Sequence, residues 1–384
     1  MGKVGEFIMK KQVSEKKSKK IIRIVHLVSA ILAVGMLVFA LIKVLGTQIL
    51  PTKYAWLLIA AVVVISVAFL IPAIIKKTPL TLRIIFFALE IGGLLGALIG
   101  LNYLNKGTEF IEAITVKEDI PEVELSVTEK PFVVFIGGVD KGEKLNDVNM
   151  IMAINPRTAK VLLVGIPRDY YVTFHNTGEK DKLTHSAEFM GADISNTIAT
   201  VRDFMNVDLD YYIRVDFNAI ESLVDVIGGV DIYSDRAFRS TTMKECYFTK
   251  GSNHVDGHHA LAFSRERMSY SGEGDLHRIE NQSIVMEAII AKLSNADTFA
   301  KYYDGLLKTA TDVLKTNFRE EDIYKFANFI LDKHPKWQVE RYRLNGTHAY
   351  NIYSPALGAK RTMMIPDENS INTAKTKIEA LLSE

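Results

Sequence analysis

Apolar positions along this chain fall into two regimes. Before residue 105 they form long, nearly unbroken runs at residues 24–42, 55–75 and 84–101. Each run approaches the roughly 20 residues a helix needs to cross a bilayer core. The polar connections at 43–54 and 76–83 are short, which predicts antiparallel helical hairpins. From Pro131 onward, short apolar stretches alternate with polar ones at strand and helix periods. PFVVFIGG, VNMIMAIN and KVLLVGI read as strands, the last two joined by NPRTAK as a hairpin. DYYIRVDF, FNAIESLVDVI and GGVDIY read as strand, helix and strand, which predicts a parallel pair with a right-handed crossover. HHALAFSRER, RIENQSIVMEAIIAKL, FAKYYDGLLKTATDVL and REEDIYKFANFIL read as helices. WQVERYRL closes with a strand and TAKTKIEALL with a helix.

The pattern predicts an α/β protein: three N-terminal transmembrane helices, then a domain with a central mixed sheet flanked by helices. The expected divisions are a basic tail at 1–23, the spans at 24–104, a linker at 105–130 with a possible short strand, and a folded domain at 131–384. The runs are too long and too many for a cleavable signal peptide. Basic residues crowd the tail (Lys10, Lys11, Lys16, Lys17, Lys19, Lys20) and the second loop (Lys76, Lys77, Arg83), whereas the first loop has Lys43 and Lys53. The positive-inside rule puts the tail in the cytoplasm and the C-terminal domain outside, in a multi-pass cell-membrane protein. Glu90 lies inside the third span. It is either a functional intramembrane charge or a residue packed among the helices, protonated or held by a polar neighbour.

Composition changes this picture little. A net charge of +1 over 384 residues gives no hint of nucleic acid. The single cysteine, Cys246, excludes an intrachain disulfide and a cysteine-rich metal site. There is no GxxxxGK[ST] loop, no HExxH and no GxSxG. His254, His258 and His259 cluster at an apparent helix start, without further ligands beside them.

Three segments carry candidate chemistry. In IGGVDKGEKLNDVN, Asp140 and Asp147 flank a loop between strands. They suit a hard cation such as Mg²⁺ or Mn²⁺, or they are simple turn and cap residues. In GIPRDYYV, Arg168 and Asp169 end a strand, either as a phosphate-binding guanidinium with its partner or as a surface ion pair. In SRERMSYSGEGDLHRIENQ, Arg265, Arg267, Asp275, Arg278 and Gln282 gather around a flexible loop, unless they are a solvated charge run. Arg278 and Gln282 are four apart in a helix and share a face. Four arginines with several carboxylates suggest a pyrophosphate site with a divalent metal.

The ordered set FIGGVD, NDVNMIMAINP, IPRDYYV, DYYIRVDF with LVDVIGGVDI, GHHALAFSRER and GDLHRIENQ resembles the LytR–CpsA–Psr family of cell-wall glycopolymer transferases. The three-span anchor resembles that family's capsule-associated branch. The resemblance implies a phosphotransferase that moves a glycopolymer, of the capsular or teichoic-acid type, from a polyprenyl-pyrophosphate carrier to peptidoglycan. It implies Mg²⁺ at Asp140 and Asp147, and pyrophosphate held by Arg168, Arg265, Arg267 and Arg278. Asp169, Asp275 and Gln282 would orient the arginines or the acceptor. A membrane setting, a lipid carrier and capsule-assembly membrane proteins are the implied partners. Leu145 stands where the family has an arginine, and Lys144 beside it could supply the charge but not a bidentate fork. A polyprenyl-pyrophosphate phosphatase and a non-enzymatic lipid-pyrophosphate scaffold remain as alternatives.

Overall fold

The structure is a computed structural model that describes residues 2–119, 126–139, 146–191, 193–216, 219–269, 274–311 and 313–384. It forms two units, Met1–Glu109 and Phe110–Glu384. The first is built from α1 (Gly2–Gly46), α2 (Thr52–Ile74) and α3 (Leu80–Ile114) as far as Glu109. All three are long and apolar enough to cross a membrane. Their large apolar side chains are mostly exposed, as a lipid-facing surface requires, while Ala30, Ala33, Ala73 and Phe69 pack inside.

Two arginines close the same end of this bundle. Arg23 Nη2 donates to the Ile74 carbonyl at 3.0 Å and Arg83 Nη2 to the Ile75 carbonyl at 2.7 Å. Both meet the negative end of α2. Glu90 is buried and paired: the Ser29 hydroxyl donates to its Oε2 at 2.5 Å, and His26 Nε2 lies 3.0 Å from its Oε1. Arg83 Nη1 is 3.4 Å from His26 Nδ1. Polar side chains of α1 thus satisfy the charge on α3, because hydrocarbon would not. Helix α3 also continues through residues 105–114, where polarity predicts linker, and Thr115 then bridges Thr316.

The second unit begins with β1 (Phe132–Val139), β2 (Asn146–Asn155), β3 (Lys160–Ile166), β4 (Tyr171–Thr173) and β5 (Lys180–Lys182). Next come α4 (Ile194–Met205), β6 (Tyr211–Asp216), α5 (Ala219–Val226), β7 (Val230–Ser234), β8 (Phe238–Arg239), β9 (Tyr247–Phe248) and β10 (Gly251–Val255). The remainder is α6 (Gly257–Arg265), α7 (Gly274–Leu293), α8 (Ala296–Thr311), β11 (Leu314–Thr316), α9 (Glu320–Lys333), β12 (Gln338–Arg343), β13 (Gly346–Ser354), β14 (Ala359–Pro366) and α10 (Glu368–Ser383).

The main sheet is mixed, in the order β11-β6-β1-β2-β3-β12, with β1–β6 and β3–β12 parallel and the other pairs antiparallel. Strand β1 is buried at every position, which is why it reads as one continuous apolar run. Its alternate side chains feed two cores. Val133 and Phe135 pack with residues of α4 and α10. Phe132, Val134 and Ile136 pack with residues of α7 and α9. Helices therefore cover both faces. A third core joins α5, α6 and α8 to the β7–β10 and β8–β9 ribbons.

The predicted parallel pairing of DYYIRVDF with GGVDIY does not form. Strand β7 leaves the sheet and pairs antiparallel with β10. Gly228 and Gly229 both have positive φ, 74° and 78°, and turn the chain away, while β11 takes the edge of β6. The β13–β14 hairpin also escapes a periodicity reading.

The seat of α7 on the sheet depends on Gly165 in β3. A Cβ there would lie 2.3 Å from Ile279 Cγ2. Gly165→Ala is expected to cost about 1–3 kcal/mol in urea unfolding of the detergent-solubilised chain. Ile279→Ala in the same chain should relieve part of that overcrowding, giving a coupling that two independent losses would not.

Candidate active site

Polar groups collect beyond the carboxyl ends of β1 and β3, the position where open α/β sheets leave a crevice. Antiparallel β2 starts at that same end. Asn149 of β2 is opposite Ile166 of β3, so Asp147 and Arg168 both extend past the end of the β2–β3 pairing. Arg168 Nη1 donates to Asp147 Oδ1 at 2.6 Å, and the Thr184 hydroxyl reaches the same oxygen at 3.4 Å. The start of β2 is held by a buried pair, with Asn146 Nδ2 donating to Asn149 Oδ1 at 2.7 Å.

The backbone of Arg168, Asp169 and Tyr170 is pinned residue by residue. Thr184 N donates to the Arg168 carbonyl, Met364 N to that of Asp169 and Leu183 N to that of Tyr170, at 2.9, 2.8 and 2.9 Å. The Tyr170 hydroxyl, on a fully buried ring, donates to the Asn345 carbonyl at 2.5 Å. The guanidinium of Arg168 therefore projects from a fixed base, which lowers the entropic cost of holding a ligand. Lys182 Nζ, at the end of β5, is 3.0 Å from Asp169 Oδ1. Burial pushes the Asp169 carboxyl up, but Lys182, Arg168 and Arg278 outweigh burial and hold it below the usual carboxylate range.

The other arginines arrive on α6 and α7. Arg265 ends α6 and is half-buried, two residues ahead of Arg267. Gly274 opens α7, and a Cβ there would lie 2.4 Å from the Arg267 carbonyl oxygen. This close approach sets Asp275 against Arg267, and the two form an ion pair. Arg278 and Gln282 follow at successive turns, both buried. Asn281 Nδ2 donates to the Phe263 carbonyl at 3.0 Å and ties α7 to α6.

Among the described residues the guanidinium groups crowd one another. Burial, then the neighbouring Arg168 and Arg267, push the Arg278 guanidinium down to about 9. Burial and Arg168 likewise lower Arg267. The Nε atoms of Arg168 and Arg278 are buried without a hydrogen-bond partner among the described residues. An isolated domain gains nothing from gathering guanidinium groups this way. A bound anion with several oxygens would satisfy both orphaned donors and offset the repulsion.

Of the residues singled out from sequence, Asp147, Arg168, Asp169, Arg267 and Arg278 are brought into one electrostatic cluster, with Asp275 on Arg267. Asp140, Lys144 and Leu145 lie outside the described residues. Lys182 and Thr184 are additions. Nothing in the spacing of KDKLTH marks them, because the β4–β5 ribbon and the following turn bring them in.

The LytR_cpsA_psr family model matches residues 98–379. The Bacillus mycoides protein named polyisoprenyl-teichoic acid–peptidoglycan teichoic acid transferase TagU is 30% identical over 254 residues, 63% of this chain and 81% of that protein. The Bacillus cereus protein of the same name is 34% identical over 203 residues, 52% of this chain and 65% of that one. The crystal structure of B. subtilis TagU aligns with a TM-score of 0.51 at 28% identity, covering 66% of this chain and 98% of that one. A structure of TagT described as bound to LI-WTA gives 0.52 at 25% identity, covering 71% and 97%.

The lowered pKa of Arg278 has a definite sign. The folded state binds this proton less tightly than the unfolded chain, so the charge costs stability below about pH 9 and the cost fades above it. Arg278→Met is expected to make the unliganded chain more stable by on the order of 1 kcal/mol at neutral pH. The same variant should lose the rise in melting temperature that inorganic pyrophosphate gives the wild type, measured by thermal unfolding.

Proposed function

The chain belongs to the LytR_cpsA_psr family, and on that premise we propose that it transfers a glycopolymer from a polyprenyl-pyrophosphate carrier to a hydroxyl of peptidoglycan. The observation that carries this reading is the cluster of Arg168, Arg267 and Arg278, two of them with buried Nε donors that make no hydrogen bond among the described residues. Such a cluster suits the charge of a diphosphate better than any neutral ligand. The names of the relatives support a teichoic-acid type of polymer.

In the proposed reaction the acceptor hydroxyl oxygen bonds to the phosphorus on the glycan side. The bridging P–O bond breaks and polyprenyl phosphate leaves with its electron pair. The hydroxyl proton goes to Asp169, which Lys182 and Arg168 keep ionised. A weak base suffices, since phosphoryl transfer depends mainly on positioning and charge stabilisation. Arg168 and Arg278 hold the oxygens that gain charge, Asp147 aims Arg168, and Asp275 aims Arg267. Gln282 continues the Arg278 face and is suited to a glycan or phosphate oxygen.

The donor chemistry also fits a hard divalent cation. Asp147 is partly exposed and has an oxygen beyond the one taken by Arg168 and Thr184. Asp147, with Asp140, would hold Mg²⁺ or Mn²⁺, which supplies Lewis-acid neutralisation of phosphate charge when bound.

The proposed setting is the outer face of the cell membrane. Arg23 and Arg83 gather at one end of the bundle with Lys76 and Lys77 close in sequence, which supports a cytoplasmic tail under the positive-inside rule.

The test uses the purified full chain in detergent with a glycan on polyprenyl pyrophosphate, Mg²⁺ and a peptidoglycan acceptor. Polyprenyl monophosphate release is expected only when acceptor is present, and chelation of the metal should stop it. Arg168→Ala should lower the rate by about 10²–10³-fold, with the melting temperature little changed. Undiminished transfer by Arg168→Ala would overturn the assignment. Release with water alone would mark a phosphatase, and binding without cleavage a scaffold.

A further inference from the structure

The sequence offers His254, His258 and His259 no adjacent ligands, but the fold supplies them to one of the three. Glu245 and Cys246 end the turn between β8 and β9, and that turn lies against the first turn of α6. A Glu245 carboxylate oxygen, Cys246 Sγ and an imidazole nitrogen of His258 all lie within 4.8 Å of one another. His258 Nε2 is 2.7 Å from Glu245 Oε1. The opposite ring nitrogen, Nδ1, is 3.4 Å from Glu221 Oε1 on α5. His254 and His259 pair with Asp231 and Asp256 in exposed surface ion pairs.

This arrangement is built into the fold. A Cβ on Gly257 would lie 1.9 Å from the Glu221 carbonyl oxygen, so the start of α6 rests directly on α5. Gly257 N donates to Asp225 Oδ1 at 2.7 Å and locks the same contact. His258 is thereby placed between Glu221 behind and the Glu245–Cys246 turn in front. A carboxylate on one imidazole nitrogen fixes the tautomer and turns the other nitrogen's lone pair outward, the usual support of a metal-binding histidine.

We propose that Glu245, Cys246 and His258 bind a divalent transition-metal ion of the zinc type, with Glu221 as the positioning residue for His258. Thiolate, imidazole and carboxylate form a donor set that suits Zn²⁺ and disfavours Mg²⁺, which sets it apart from the carboxylates at the end of the main sheet. Cys246 is buried while Glu245 is exposed, so one side of the site opens to solvent for entry and for a fourth, water ligand. On binding, Cys246 releases its thiol proton and His258 its Nε2 proton to solvent, and the Glu245–His258 hydrogen bond gives way to two metal bonds.

The consequence reaches the arginines. Thr241, in the same β8–β9 turn, donates through its N and its hydroxyl to the Glu266 carboxylate at 2.7 and 3.0 Å. Glu266 sits between Arg265 and Arg267. The metal staples this turn to the beginning of α6, and Glu266 holds it at the end. The ion acts by fixing the segment that presents Arg267 and takes no part in the transfer.

The test is a titration of the full chain in detergent, stripped with a chelator and held in excess Mg²⁺. Co²⁺ is the spectroscopic stand-in for zinc. One equivalent should bind with a thiolate-to-cobalt charge-transfer band, displaced by Zn²⁺. Cys246→Ser should abolish the band, and Glu221→Gln should weaken binding about 10- to 100-fold. His254→Ala should leave both unchanged. A wild-type titration with no stoichiometric Co²⁺, or with binding but no charge-transfer band, overturns the proposal whatever the variants do.

Discussion

Complete burial of the central strand is the constraint from which the rest follows. Every residue of β1 is inside, between two layers of helices. Backbone hydrogen bonds to β2 and β6 satisfy its main chain. Its faces accept only apolar side chains, since an unpaired charge there would be prohibitive. In β1, β2 and β3 charged groups are therefore confined to the strand ends. Asp147 at the start of β2 and Arg168 beyond β3 meet there because the two strands run antiparallel.

The arginine cluster is a local departure from stability. Arg278 is buried and beside two other guanidinium groups, and two buried Nε donors go unmet among the described residues. The surrounding packing sustains this strain. The seat of α7 against Gly165, the approach of Gly274 to Arg267 and the pinned Arg168–Tyr170 backbone each hold a cation where solvent alone would not. Sites that oppose their own stability in this manner are characteristic of preorganised recognition of an opposite charge.

The membrane unit solves a similar problem by the opposite means. Glu90 is satisfied inside the bundle by Ser29 and His26, and His26 in turn lies beside Arg83. The network reads as helix-to-helix adhesion. One unit pairs its buried charges and the other leaves cationic donors open.

Much was legible from the chain alone. The three spans, strands β1, β2, β3 and β6, and the helices carrying Arg265, Arg278 and Gln282 follow from periodicity, because burial of a face is a local signal. The motif order also pointed to the family that the match over residues 98–379 shows. Partner choice was not legible. Periodicity reports which face is buried and says nothing of what lies against it, so the pairing of β7 with β10 was missed. For the same reason Lys182 and Thr184 joined the cluster unannounced, as did the clamp from Asn345 and Met364, which lie 175 or more residues further along the chain than the residues they hold. Sequence determined which groups would carry charge and which strands would exclude it. Tertiary packing alone decided which of those charges meet, because contacts between distant segments depend on the geometry of the folded layers.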